Sequence, residues 1–168
     1  HSMKGPDHWV NVLHLLKQAG VDFEAKWFGD GIMLEQVKKQ VSSLGLAEDI
    51  GLYGFVSDRN VVLNELRQAD ILMFCHLTPE SPRILIEALN QATPIIGYAS
   101  DYPVDLIRNG GGALVEQGNQ QALFEEIARL DKNRPLLASL IINAGEAGKS
   151  LTDEKVFSHR AELIKSNF

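Results

Sequence analysis

Cysteine is almost missing from this chain of 168 residues: Cys75 stands alone. That excludes an intrachain disulfide and a cysteine-cluster metal site, and a reducing, cytoplasmic setting is the expectation. Long apolar runs are missing too, none approaching the roughly 20 residues of a membrane-spanning helix, and no signal peptide opens the chain. Basic excess is absent: 16 Lys and Arg stand against 22 Asp and Glu, a net charge of −6. With no basic stripe to meet a phosphate backbone, nucleic acid is not an expected partner. There is no Asp-x-Asp pair, no G-x-S-x-G elbow, and no lysine-serine continuation after Gly110-Gly111-Gly112, so that run reads as a flexible turn. His8, His14, His76 and His159 follow no zinc-site spacing. Repeats, low-complexity tracts and interdomain linkers are likewise absent.

What is present is an ordinary globular composition, 45% hydrophobic and 23% charged, in a length that suits one core. His1-Ser2-Met3 resembles the scar of a cleaved tag, so residues 4–168 are expected to be a single domain excised from a longer protein.

Helical and strand patterns alternate. Apolar Trp9, Val12, Leu13 and Leu16 recur at helical spacing behind Pro6-Asp7, and Gly20 ends that run. A strand is predicted over 22–28, followed by the turn Gly29-Asp30-Gly31 and a helical stripe of Met33, Leu34, Val37, Val41 and Leu44. Strands are predicted over 50–53, 71–75, 94–98 and 113–115, with helices over 61–68 and 83–91 between them. The remainder reads as helices over 120–132, 135–148 and 153–165, the last capped by Thr152, so that 120–168 is mainly helical. Strands separated by helices predict an α/β, Rossmann-like parallel sheet covered on both faces. Ligands of such sheets bind beyond the carboxyl ends of the strands. The loops at 29–31, 54–56, 76–82 and 98–103 are therefore expected to share one rim.

The most informative stretch runs from His76 to Glu87. Ser81 is the expected N-cap of the next helix and Pro82 its first residue, so free amides would face the rim, with Arg83 able to add a forked cationic contact. An anion suits that arrangement, and a capped helix start that binds only water is the plain alternative. Glu80 and Glu87, acceptor-only anions seven residues apart, suit a sugar diol, although their spacing alone favours a solvated acidic helix face. Glycines at 29 and 31 let a ligand approach the main chain closely. His76 is set apart from the other histidines because it stands on the proposed rim. Cys75, ending an apolar strand, reads as packed rather than nucleophilic.

Taken in order, Lys4-Gly5, Gly29-Asp30-Gly31, Gly54-Phe55-Val56, Ala69-Asp70, Pro79-Glu80 to Glu87-Ala88-Leu89 and Thr93-Pro94-Ile95-Ile96 resemble family 4 retaining glycosyltransferases. The resemblance covers roughly residues 4–130. It implies the carboxyl-terminal, nucleotide-sugar-binding half of a GT-B fold, with the amino-terminal acceptor half outside this chain and the strand before Lys4-Gly5 missing from the middle of the sheet. It implies Lys4 on the donor diphosphate, Gly29, Gly31, Phe55 and Val56 around the nucleotide, Glu80 near the transferred sugar as the catalytic position, and Glu87 on the ribose. Ser81 and Arg83 join the donor-binding set from their place at the helix start, not from the resemblance. The implied chemistry uses no metal and no cofactor, the nucleotide-diphospho-sugar being a substrate.

The chain departs from the family pattern at this loop. Glu80 and Glu87 enclose six residues where seven are usual, and Ser81-Pro82-Arg83 replaces glycine-phenylalanine-glycine. Proline supplies no amide donor. The expected function is donor binding within a hexosyltransferase acting on a glycan or lipid-linked acceptor, the fragment alone being inactive. A non-catalytic nucleotide-sugar module and an epimerase-like relative stand as alternatives. Self-association through unpaired strands and peripheral membrane contact of the longer protein are further expectations.

Overall fold

The computed structural model describes residues 2–151 and Lys165; the helix expected over 153–165 and its Thr152 cap otherwise lie outside the described residues. After one 3-10 turn at Ser2–Lys4, the chain enters α1 (Pro6–Gln18), where Pro6 occupies the first turn and Gly5 takes the left-handed conformation at the N-cap. Pro6, Trp9, Val10, Val12, Leu13 and Leu16 form its buried stripe. β1 (Ala25–Phe28), α2 (Leu34–Ser43) and β2 (Ile50–Gly54) follow, then α3 (Arg59–Gln68), whose N-cap Asp58 accepts a hydrogen bond from the Asn60 amide at 2.9 Å.

β3 (Leu72–Phe74), α4 (Arg83–Asn90), β4 (Ile95–Tyr98), α5 (Asp101–Leu106) and β5 (Gly112–Val115) continue the alternation, and α6 (Gln120–Lys132) and α7 (Arg134–Gly148) close it. Asn119 and Asn133 cap the last two helices through the amides of Ala122 and Leu136. The α/β architecture with parallel strands and helices on both faces is the one expected. α5 was not: a six-residue helix behind Ser100 occupies what reads as part of the loop 98–103.

All the strand pairs are parallel, but they do not make one ladder. β1 pairs with β2 from Ala25↔Ile50, while β3, β4 and β5 form a separate sheet in that order. Among the described residues neither β1 nor β3 has a second strand partner. The division falls mid-way through the strand set, where the resemblance puts the missing strand. A common core bridges it: α1, α2 and α6 cover Ile50 of β2, Trp27 of β1, Met73 of β3, and Ile96 and Tyr98 of β4. The other face of the second sheet, carrying Phe74 and Ile95, packs on Leu85, Ala88 and Leu89 of α4 and Ala144 of α7. This sorting of Ile95 from Ile96 is the period of two that a strand imposes on its side chains.

Two local devices hold the sheet-to-helix junctions. Thr93, 1% exposed, donates its hydroxyl to the Leu66 carbonyl at 2.6 Å and pins the end of α3 to the turn before β4. The glycine run 110–112 is not a slack turn. Gly111 has φ of +95° and faces the α7 backbone at Ala144, and a Cβ on Gly112 would stand 2.2 Å from the Ile95 carbonyl. Side chains here would hold β5 and α7 away from β4.

Candidate functional site

The carboxyl ends of β1, β2 and β3, with the turn before α1, carry most of the sequence-derived site. Gly29 donates its amide to the Gly54 carbonyl at 2.7 Å, tying the turn after β1 to the turn after β2. Gly29 and Gly31 have φ of +136° and +147°, so the turn between them is built on backbone that L side chains rarely adopt. Both line a pocket of about 80 Å³ with Lys4, Trp27, Phe28 and Met33. That volume is below the roughly 300–1,000 Å³ of a small-molecule site, so it admits part of a ligand, with the rest lying along the open rim. Phe55 projects from the adjoining turn and is 73% exposed, while Val56 is half-buried. Phe28 stacks on Tyr53 with centroids 5.0 Å apart, extending the aromatic surface beside them.

Lys4 links this pocket to the loop after β3. The Met3 carbonyl accepts the Leu77 amide at 2.8 Å, which fixes the chain start against that loop. His76 Nδ1 lies 3.2 Å from Glu80 Oε2, and Thr78 donates to Glu80 Oε1 at 3.3 Å. Burial lowers the His76 pKa, the Glu80 carboxylate opposes this, and the positive charge of Lys4 adds to the lowering. Lys4, the glycine turn, His76 and Glu80 thus belong to one neighbourhood.

Glu87 belongs to another. It lies on α4, 8% exposed, with its Oε1 in contact with Arg59 of α3 and 3.1 Å from Nε of Arg83. These three side chains, with Leu63, Ile86, Asn90, Gln91 and Leu151, line a pocket of about 260 Å³ between α3 and α4. Arg83, not Pro82, is the first residue of α4, and its guanidinium runs along the helix to Glu87. Ser81 is not the N-cap. Pro82 holds that position in extended conformation, φ −73° and ψ 130°, and no side chain caps the helix. Ser81 is exposed, one residue too early to reach the first free amides. Among the described residues no three of His, Cys, Asp and Glu converge as metal ligands.

A sequence profile of the glycosyl transferases group 1 matches residues 1–147. The chain belongs to that family. Its similarity to 2-deoxystreptamine glucosyltransferase of Streptomyces kanamyceticus is 28% identity over 98% of this chain and 42% of that protein. The fold is also that of group 1 neighbours with GT-B architecture. Anabaena HepE, solved in complex with UDP, superposes with a TM-score of 0.84 at 20% identity, over 99% of this chain and 46% of that one. The solved C-terminal domain of LpcC, a group 1 protein of Francisella tularensis, gives a TM-score of 0.79 at 18% identity over 89% of this chain and 80% of that domain. The chain spans less than half the length of the curated relatives it matches.

Two residues of this group 1 domain went unassigned in the sequence reading. Arg59 pairs with Glu87 across 28 positions, and nothing local to residue 59 marks it. His76 was marked by its place on the rim alone, although its four-residue spacing to Glu80 is a readable hint of contact.

Proposed function

We propose that this group 1 domain is the donor-binding part of a retaining, metal-independent, family 4 glycosyltransferase. In that reading it holds a nucleotide-diphospho-sugar and presents the sugar to a glycan or lipid-linked acceptor bound by another part of the longer protein. The observation that carries the reading is the convergence of Lys4, the Gly29–Gly31 turn and the His76–Glu80 loop at the carboxyl ends of the strands, where open α/β sheets bind ligands. The UDP bound to HepE and the carboxyl-terminal position of the LpcC domain support it by analogy.

Within the proposal, Lys4 takes the diphosphate and stabilises it as it leaves, the work a divalent ion does elsewhere. Gly29 and Gly31 give the phosphates close approach to main-chain amides. Phe55 and Val56 flank the base and Glu80 lies at the transferred sugar; the ribose contact that the resemblance implies for Glu87 requires its carboxylate to exchange Arg59 and Arg83 for the ligand. Arg83 and Arg59, at the N-terminal ends of neighbouring helices, supply positive charge beside Glu87. Ser81 is left with a solvent-facing hydroxyl as its only donor-site contribution. The domain boundary at residue 4 and a cytoplasmic setting belong to the same proposal, as does self-association through the free edges of β1 and β3, which a concentration-dependent mass in light scattering would reveal. No helix among the described residues is long and apolar enough to cross a membrane.

The test is calorimetric titration with UDP, GDP and ADP and then their sugars, on this chain and on the full-length protein. One nucleotide is expected to bind, and Lys4→Ala is expected to weaken it about tenfold or more, the loss of one charge-assisted contact. Binding of none by either protein overturns the reading. A non-catalytic module of the same fold is favoured by one feature, Pro82 at the helix cap without an amide to donate. Nucleotide-sugar bound by the full-length protein without transfer or hydrolysis would select it.

A further inference from the structure

Glu80 stands on a loop with prolines at 79 and 82, and its carboxylate is 39% exposed. On such a loop a glutamate has several rotamers open to it, and a group that must meet a sugar needs one. Two neighbours narrow the choice. Thr78 donates to Oε1 at 3.3 Å, and His76 Nδ1 lies 3.2 Å from Oε2. The imidazole is itself held: its side chain is 12% exposed, its ring leans on Phe74 with centroids 4.5 Å apart, and Gln117 donates to its main-chain carbonyl at 3.4 Å. Thus β3, the loop and the segment after β5 all bear on His76, while Glu80 depends on His76.

We propose that His76 is a positioning residue for Glu80, its ring fixing the carboxylate through Nδ1 so that a loop one residue shorter than usual still delivers Glu80 to the transferred sugar. The proposal rests on the donor-domain reading and adds to it a residue with its own role. His76 Nδ1 is buried without an aligned hydrogen-bond partner, and the Glu80 carboxylate stands 3.2 Å away as an acceptor for it. Burial and the Lys4 charge favour the neutral ring and together outweigh the Glu80 carboxylate, which favours the charged one. A neutral ring carries one proton, and with that proton on Nδ1 the ring donates to Oε2. Nε2 then keeps its lone pair, and the ring remains a donor toward Glu80 rather than a second cation beside Lys4.

Two experiments on the full-length protein decide this. In the first, histidine is labelled with nitrogen-15, and the His76 signals are assigned by their loss in His76→Asn. Nδ1–H is the expected tautomer, reverting toward Nε2–H in Glu80→Ala. An Nε2–H ring indifferent to Glu80→Ala overturns the pairing.

The second compares His76→Asn, whose amide nitrogen takes the place of Nδ1, with His76→Gln, whose amide takes the place of Nε2. His76→Gln is expected to lower kcat about tenfold or more with donor KM within about threefold, as misplacement of a reacting group does, and His76→Asn to recover most of it. Equal kcat in wild type and both variants overturns the positioning role. Failure of wild type to bind any nucleotide-sugar by calorimetry overturns the donor reading instead, and the tautomer measurement still judges the pair.

Discussion

Gly5 lies directly against the main-chain carbonyl of Cys75. A Cβ at residue 5 would stand 2.1 Å from that oxygen, and Gly5 has φ of +63°. One glycine therefore sets the entry angle of α1 and the seating of the chain start on the end of β3, placing Lys4 beside the glycine turn.

Gly5→Ala is expected to destabilise the domain by about 2–4 kcal/mol, combining left-handed strain with an overpacked contact. Thermal unfolding should show a Tm lower by roughly 5–10 °C for a domain of this size. A shift of less than about 2 °C would mean that α1 and β3 can part without cost.

Cys75 gives a stability profile at alkaline pH. Burial pushes its thiol from 9.0 up to about 12, so the folded state keeps a proton that the unfolded chain releases first. Stability is full below pH 9.0 and falls as pH rises toward about 12. Tyr98 and Tyr102, also raised by burial, join above the ordinary tyrosine range. Cys75→Ala should flatten the onset of the decline, between about pH 8 and 9.5 in urea titrations at several pH values, where the unfolded-state thiol titrates ahead of tyrosine and lysine. An unchanged slope would assign that decline to other groups.

Arg59, Glu87 and Arg83 should separate by burial. Glu87 is 11% exposed in its side chain, Arg59 48% and Arg83 73%. Removing Arg59 leaves the buried carboxylate only its more exposed partner, Arg83, and should cost about 1–2 kcal/mol; Arg83→Ala should cost less than about 1 kcal/mol. Arg59→Leu with Glu87→Leu should be less damaging than Arg59→Ala, because no uncompensated charge stays behind. Equal losses in the two single arginine variants, read by denaturant unfolding, would contradict this ranking.

Under the donor-domain proposal, transfer by the full-length protein is expected to be unchanged in EDTA, because that proposal puts Lys4 where the leaving diphosphate gathers charge. Strict dependence on added magnesium or manganese would refute that role for the lysine.

The sequence carried the element types well because their causes are local. The apolar stripe from Trp9 to Leu16 and the four-residue run Ile95–Tyr98 can both be read without knowing any neighbour. α5 escaped because six residues are too few to show a helical period. Ser81 misled because Ser-Pro fits N-cap and first-turn preferences, yet Pro82 itself is extended and helical geometry starts only at Arg83. Within the site, Lys4 and the glycines at 29 and 31 were legible from their order in the family pattern. The partners of Glu80 and Glu87 were less so, since Arg59–Glu87 is a contact between helices and no periodicity encodes it.

The separation of β1 from β3 changes what kind of solid the domain is. A continuous ladder resists sliding because every hydrogen bond has one register. Across this seam the two sheets are joined through apolar side chains, Trp9 against Trp27 among them with centroids 5.3 Å apart. Packing of that sort opposes separation but sets no register, so it yields to shear more readily than a ladder. The glycine turn follows the first sheet and the His76–Glu80 loop the second, with Lys4 lining the pocket at the turn and its neighbour Met3 bonded to the loop at Leu77. Side-chain packing and not a ladder joins the two sheets, so a ligand spanning the glycine turn and that loop would add a cross-brace between them.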